Sequence, residues 1–180
     1  MLWIFLIAAG CLLLDQLSKL FLDGFFLEPG NMLYTGLLEK PGDFRILIPD
    51  VLRLDYVLNK GAAFGILQNQ RLFFLLTTLI ICVVGIFLLT KLPKKHWMLV
   101  AASGMILGGA LGNLIDRVLI GQVRDFINVT LVDTLFGYSF PVFNVADICV
   151  VAGVIALAIY ILFIHDKLYP SKEKNNEDHQ

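Results

Sequence analysis

The sequence predicts a mainly α-helical membrane protein: four transmembrane helices with a small antiparallel β-sheet on the outer membrane surface. Three observations predict it. Of 180 residues, 58% are apolar and only 16% charged, against about 45–50% and about 25% in ordinary soluble domains. The apolar residues gather into four windows of roughly 20, enough for a helix to cross about 30 Å of hydrocarbon. Between the first two windows lies a long polar segment with a two-residue alternation. The composition excludes a disordered chain, and a net charge of −1 excludes a basic nucleic-acid binder. Cys11, Cys82 and Cys149 are odd in number and widely spaced, so they read as buried thiols rather than a disulfide framework or a zinc set.

The first span is expected at 2–22. The string Ala8-Ala9-Gly10-Cys11 resembles a lipoprotein cleavage box. No Lys or Arg precedes it, however, and the apolar run continues past Cys11, so the segment is read as a retained span. The outer segment then runs over about 23–70. Phe44 to Ile48 reads as a strand, Pro49-Asp50 as a turn. Leu52, Leu54, Tyr56 and Leu58 alternate with Arg53 and Asp55 as in a half-buried strand. Glu28 to Gly42 reads as irregular loop. Further spans are expected at 72–90, 97–115 and 145–164; all are helices, because backbone in lipid must satisfy its own hydrogen bonds. Residues 1–171 form one membrane domain, and 172–180 a charged, disordered tail. Lys91, Lys94 and Lys95 lie between the second and third spans, and Lys167, Lys172 and Lys174 follow the fourth. Basic loops stay cytoplasmic, so both termini are expected there.

Charge within a span suggests function. Asp15 and Lys19 lie four apart, on one helix face; they are either an ion pair that orients the helix or supports of a site. Gly104, Gly108 and Gly112 repeat every four residues, a pattern of close helix packing. Asn113 and Asp116 then sit at i and i+3, and Asn144 and Asp147 repeat that spacing. Asp116 ends the third span and Asp147 begins the fourth. A loop on one side joins these spans, which brings both carboxylates to the same interface. Two readings fit. One is a pair of helix-end carboxylates, Asp147 being favoured by the helix dipole. The other is a dyad sharing one proton, whose ionised member activates water and whose protonated member protonates a peptide carbonyl. No HExxH, GxSxG or P-loop occurs, and His96, His165 and His179 fall on the opposite side.

Taken together, the motifs resemble lipoprotein signal peptidase, or signal peptidase II, the bacterial prolipoprotein-processing family. The strings are Asp15-Gln16-Leu17-Ser18-Lys19, Asn59-Lys60-Gly61-Ala62-Ala63-Phe64, Gly108 to Arg117, Val123-Arg124-Asp125-Phe126, and Phe143-Asn144-Val145-Ala146-Asp147. They follow one another in family order across nearly the whole chain. The resemblance implies an aspartic endopeptidase without metal or cofactor. Such an enzyme cuts before a Cys carrying diacylglycerol, in the bacterial cytoplasmic membrane, with its site near the outer face. Carried over by position, the catalytic pair is Asp116 and Asp147. Asn59, Asn113, Arg117 and Asn144 line or support the site, and Asp15 and Lys19 support it. Asp125 falls outside the dyad, with capping or pairing in the outer loop as its expected role. Small Gly61, Ala62 and Ala63 admit a substrate backbone, and Phe64 covers it. The partners are prolipoprotein and membrane lipid, with no nucleic acid, and the expected state is a monomer. One departure is the outer segment between Lys19 and Asn59, whose extra residues lie near 28–43. Two other classes fit the acids less well: a small proton-coupled carrier, and a four-helix scaffold without chemistry. Carrier sites usually lie at the midplane and use repeats, whereas these acids gather at one interface.

Overall fold

Three of the expected spans stand out as long apolar helices: Leu2–Asp23, Trp97–Leu119 and Val145–Ile164. The computed structural model describes residues 2–26, 44–61, 70, 72–73, 76–80, 82–83 and 96–165. In chain order these give α1 (Leu2–Phe26), β1 (Phe44–Ile48), β2 (Leu52–Asn59), α2 (Trp97–Leu119), β3 (Val123–Asn128), α3 (Thr130–Phe136) and α4 (Val145–Ile159). A π-helical stretch, Tyr160–His165, extends α4. Of the second expected span, 72–73, 76–80 and 82–83 are helical; its remainder, the loop 28–43, Ala63, Phe64 and the tail lie outside the described residues.

Helix α2 packs between α1 and α4, and its glycines make this possible. A methyl on Gly108 would strike the Ala8 carbonyl on α1, and one on Gly109 would strike the Ala146 carbonyl on α4. Both obstacles are backbone, which cannot rotate aside. Overpacking of this kind costs about 1–3 kcal/mol. Gly109→Ala is therefore expected to lower the melting temperature in detergent by several degrees. It should also cut activity, since Ala146 directly precedes Asp147. An unchanged melting curve would show that the helices yield freely there.

The sheet contains the two expected strands and one more, in the order β1-β2-β3, both pairings antiparallel. Asp50 makes the β1–β2 turn with φ 58°, a left-handed conformation that Asp tolerates better than most residues. β3 has no clean apolar face, because Arg124 and Asp125 lie on it among apolar neighbours, and that hides it from a period-2 reading. Its burial is nearly complete: Arg124 is 5% exposed and Asp125 3%. The chain then returns so that Phe143 crosses the free edge of β3. The Phe126 and Ile127 amides donate to the Phe143 carbonyl at 3.0 and 2.8 Å, and the Phe143 amide donates to the Ile127 carbonyl at 3.0 Å. That clasp sets the start of α4 beside β3.

Candidate active site

Where β3, α2 and α4 meet, three asparagines each aim an amide at a carboxylate. Asn59 at the end of β2 pairs with Val123 in register, which puts it diagonally across from Asp125, within reach on the same face. Its Nδ2 donates to Asp125 Oδ2 at 2.9 Å, while its Oδ1 accepts the Gly61 amide at 2.9 Å. Asn144 caps α4. Its Oδ1 accepts the Asp147 amide at 2.9 Å, and Asp147 Oδ2 accepts the Asn144 amide at 3.2 Å, a reciprocal capping box. Its Nδ2 reaches Asp125 Oδ1 at 2.7 Å and Asn113 Oδ1 at 3.0 Å. Asn113 on α2 donates to Asp147 Oδ1 at 2.8 Å.

Asp125 and Asp147 both line a cavity of about 660 Å³, together with Asn59, Gly61, Asn113 and Arg117. Its other half is apolar. Ile148, Val151, Ala152 and Ile155 recur at helical spacing along α4, facing Phe140 and Phe143. Burial, reinforced by the neighbouring Asp147 charge, pushes the Asp125 carboxyl up to about 7, although Asn59 and Asn144 oppose the shift. Two carboxylates on one cavity, with one proton held near neutrality, can both take and give a proton.

Asp116 is placed differently. It is fully buried and is not among the residues lining the cavity. Arg124 Nη2 donates to its Oδ1 at 2.7 Å, and the Arg124 amide and Nε donate to its Oδ2 at 3.0 and 3.3 Å. Lys19 Nζ lies 3.2 Å from the same Oδ2, and Gln16 Nε2 donates to Oδ1 at 3.3 Å. Every acceptor position is engaged by protein donors, leaving none for water. Of the expected pair, Asp147 lines the cavity and Asp116 does not; the second carboxylate on the cavity wall is that of Asp125, expected only to cap or pair. Asp15 and Lys19 form a fully buried ion pair at 2.8 Å behind the cavity, and Asp15 Oδ1 accepts the Ala146 amide at 2.9 Å.

A family model described as Signal peptidase (SPase) II matches residues 7–163. The chain belongs to the signal peptidase II family. A lipoprotein signal peptidase of Brevibacillus brevis is 40% identical over 152 residues, covering 84% of this chain and 89% of that protein. One from Symbiobacterium thermophilum is 43% identical over 122 residues, covering 67% and 77%. A solved structure described as a bacterial membrane enzyme superposes with a TM-score of 0.74 at 34% identity, covering 94% of this chain and 92% of that one. A second, described in the same words, gives 0.72 at 35%, covering 89% and 93%. The chain is thus a multi-pass membrane peptidase, as the motifs and spans lead one to expect.

Within this peptidase the sequence reading passed over Asp23, Tyr56 and Arg124. Tyr56 donates to Asp23 Oδ1 at 2.9 Å, and Arg124 Nη1 donates to Asp23 Oδ2 at 2.5 Å. A signal for Asp23 was present: Asp15, Lys19 and Asp23 form one i, i+4, i+8 stripe on α1. Burial, with the Asp23 carboxylate beside it, pushes the Tyr56 phenol above its ordinary value, so it remains a donor. Arg124 sits in a quoted motif, but nothing local tells that its partner is Asp116. Among the described residues no group of three or more His, Cys, Asp or Glu could hold a metal ion.

Proposed function

We propose that this peptidase removes the signal peptide from prolipoproteins by aspartic chemistry, with Asp125 and Asp147 as the working pair. One observation carries the reading: these two carboxylates share a cavity whose far half is an apolar trough along α4. The polar half suits a peptide, and the trough suits the acyl chains of a diacylglyceryl Cys or the apolar signal segment. Asp147, half-buried on the cavity wall, takes a proton from water. The hydroxide so formed attacks the carbonyl carbon while Asp125 gives its proton to the carbonyl oxygen. Collapse of the tetrahedral intermediate breaks the C–N bond, returns that proton to Asp125 and passes the one on Asp147 to the leaving amine. The products are a signal peptide with a new carboxylate and a lipid-bearing Cys with a free amino group. The Lys-rich cytoplasmic loops put the site near the outer face of the bacterial cytoplasmic membrane, with both termini cytoplasmic, and a monomer holds all these groups.

The test uses purified full-length protein in lipid and two precursors that differ only in the diacylglyceryl group. Release of the signal peptide is followed by gel shift. Cleavage of the lipidated precursor alone is expected. No cleavage of either by folded protein would overturn the reading, and equal cleavage of both would remove its lipid part. Ala152→Phe narrows the trough away from the chemistry. It should raise KM about tenfold and leave kcat within about twofold, as loss of uniform binding does.

A further inference from the structure

We propose that Lys19 and Asn113 form a positioning unit that makes Asp147 the base of the pair. The inference rests on the Asp125–Asp147 reading. An asparagine amide can face either way, and only its partners decide which. Lys19 decides for Asn113. Its ammonium has three donors and no acceptor. One goes to Asp15 Oδ2 at 2.8 Å, one to Asp116 Oδ2 at 3.2 Å and the third to Asn113 Oδ1 at 3.2 Å. Asn144 Nδ2 donates to that same Oδ1 at 3.0 Å. Turning the Asn113 amide over would set its NH2 against two donors, the buried Lys19 ammonium and the buried Asn144 amide, an arrangement that leaves both of them unpaired there. Its Nδ2 is therefore held on Asp147 Oδ1 at 2.8 Å.

The consequence is an asymmetry between the two carboxylates. Asp125 also receives two amide donors, but the one from Asn59 is fixed only by the neutral Gly61 amide. The donor on Asp147 belongs to an amide whose oxygen is polarised by a buried cation, and charge-assisted bonds are the stronger kind. The charged groups that face Asp147 act with it: Arg117 from α2 lends positive charge, and Asp125 from β3 opposes. Among the described residues of α1, Lys19 acts on Asp147 through Asn113 and also favours charge on Asp125; Asp15 from α1 and Asp116 from α2 stand beyond it and offset its charge. Asp147 thus keeps the charge, Asp125 keeps the proton, and the lone pair that takes a proton from water belongs to Asp147.

Asn113→Ala tests this, because Ala suits a helix and removes the relay amide. The assay is cleavage of lipidated precursor from pH 4 to pH 9, beside wild type and Asp147→Asn, with folding followed by melting. Loss of one donor to a charged group should move the acid limb of kcat/KM up by about one pH unit. It should also lower kcat about a hundredfold while KM stays within about twofold. Asn113→Leu, closer in volume, should give the same shift. A folded Asn113→Ala enzyme with an unmoved acid limb overturns the inference, provided wild type cleaves and Asp147→Asn does not. Full activity of Asp147→Asn brings down the underlying reading, and this inference with it.

Discussion

Asp125→Asn and Asp147→Asn are each expected to lower kcat by about a thousandfold, the scale of a lost general acid or base, while both proteins stay folded. The expectation follows from where the two side chains stand. Each oxygen of Asp147 accepts one amide, from Asn113 or Asn144, and each oxygen of Asp125 accepts one, from Asn59 or Asn144. A carboxylate oxygen has two acceptor positions, so each group keeps lone pairs for water and substrate on the cavity side. An amide in either position can still hold some of these bonds, but it cannot cycle a proton. The measurement is the single-turnover rate on lipidated precursor, with melting curves run alongside. A rate within tenfold of wild type for either variant would remove that residue from the chemistry.

The same pair fixes the pH dependence. The Asp125 carboxyl is pushed up to about 7 from its ordinary 3.8. Its working form is the acid, so activity is present below that value and lost as pH rises through it. The alkaline limb of kcat/KM should therefore fall near pH 7. An acid limb follows where the pair takes up a second proton, which gives a bell. The two limbs belong to the coupled pair rather than to isolated residues. A profile flat from pH 6 to pH 9 would show that no proton on Asp125 is needed.

The three long apolar helices among the described residues and the first two strands were legible because their signals are local; the short α3 was not. Twenty apolar residues in a row specify a span whatever surrounds them, and Leu52, Leu54, Tyr56 and Leu58 alternate without interruption. β3 was not legible, because Arg124 and Asp125 sit buried where a strand pattern calls for apolar residues. Such charges are tolerated only through partners distant in sequence. Arg124 is held by Asp23, 101 residues away, and Asp125 by Asn59, 66 residues away. The site was legible as a set of residues but not as a division of labour. Asn113-x-x-Asp116 and Asn144-x-x-Asp147 look alike in sequence. Only the second is a capping box that opens a helix beside the cavity; in the first, Asp116 lies near the end of a helix and faces Lys19 and Arg124.

That difference gives Asp116 its own expected result. Asp116→Ala should destabilise the protein by about 3–5 kcal/mol, the usual cost of leaving buried cations without their partner. Arg124 is tied to Asp116 through its backbone amide, Nε and Nη2. Asp116 therefore fastens the start of β3 to the end of α2, one residue before Asp125. Loosening it should lower kcat about tenfold by misplacing Asp125, and both pH limbs should stay where they are, because the proton-bearing groups are untouched. Arg124→Met in the Asp116→Met background should recover only part of the lost stability, because it removes one uncompensated buried charge but leaves buried Asp23 without its cation. The recovery should be greater than the sum of the single effects allows, as it is for residues in direct contact. These readouts separate a fastener from a catalyst. A catalytic Asp116 would lose about a thousandfold in rate on substitution by Asn, with melting close to wild type. A fastening Asp116 melts early and turns over slowly, at an unaltered pH optimum.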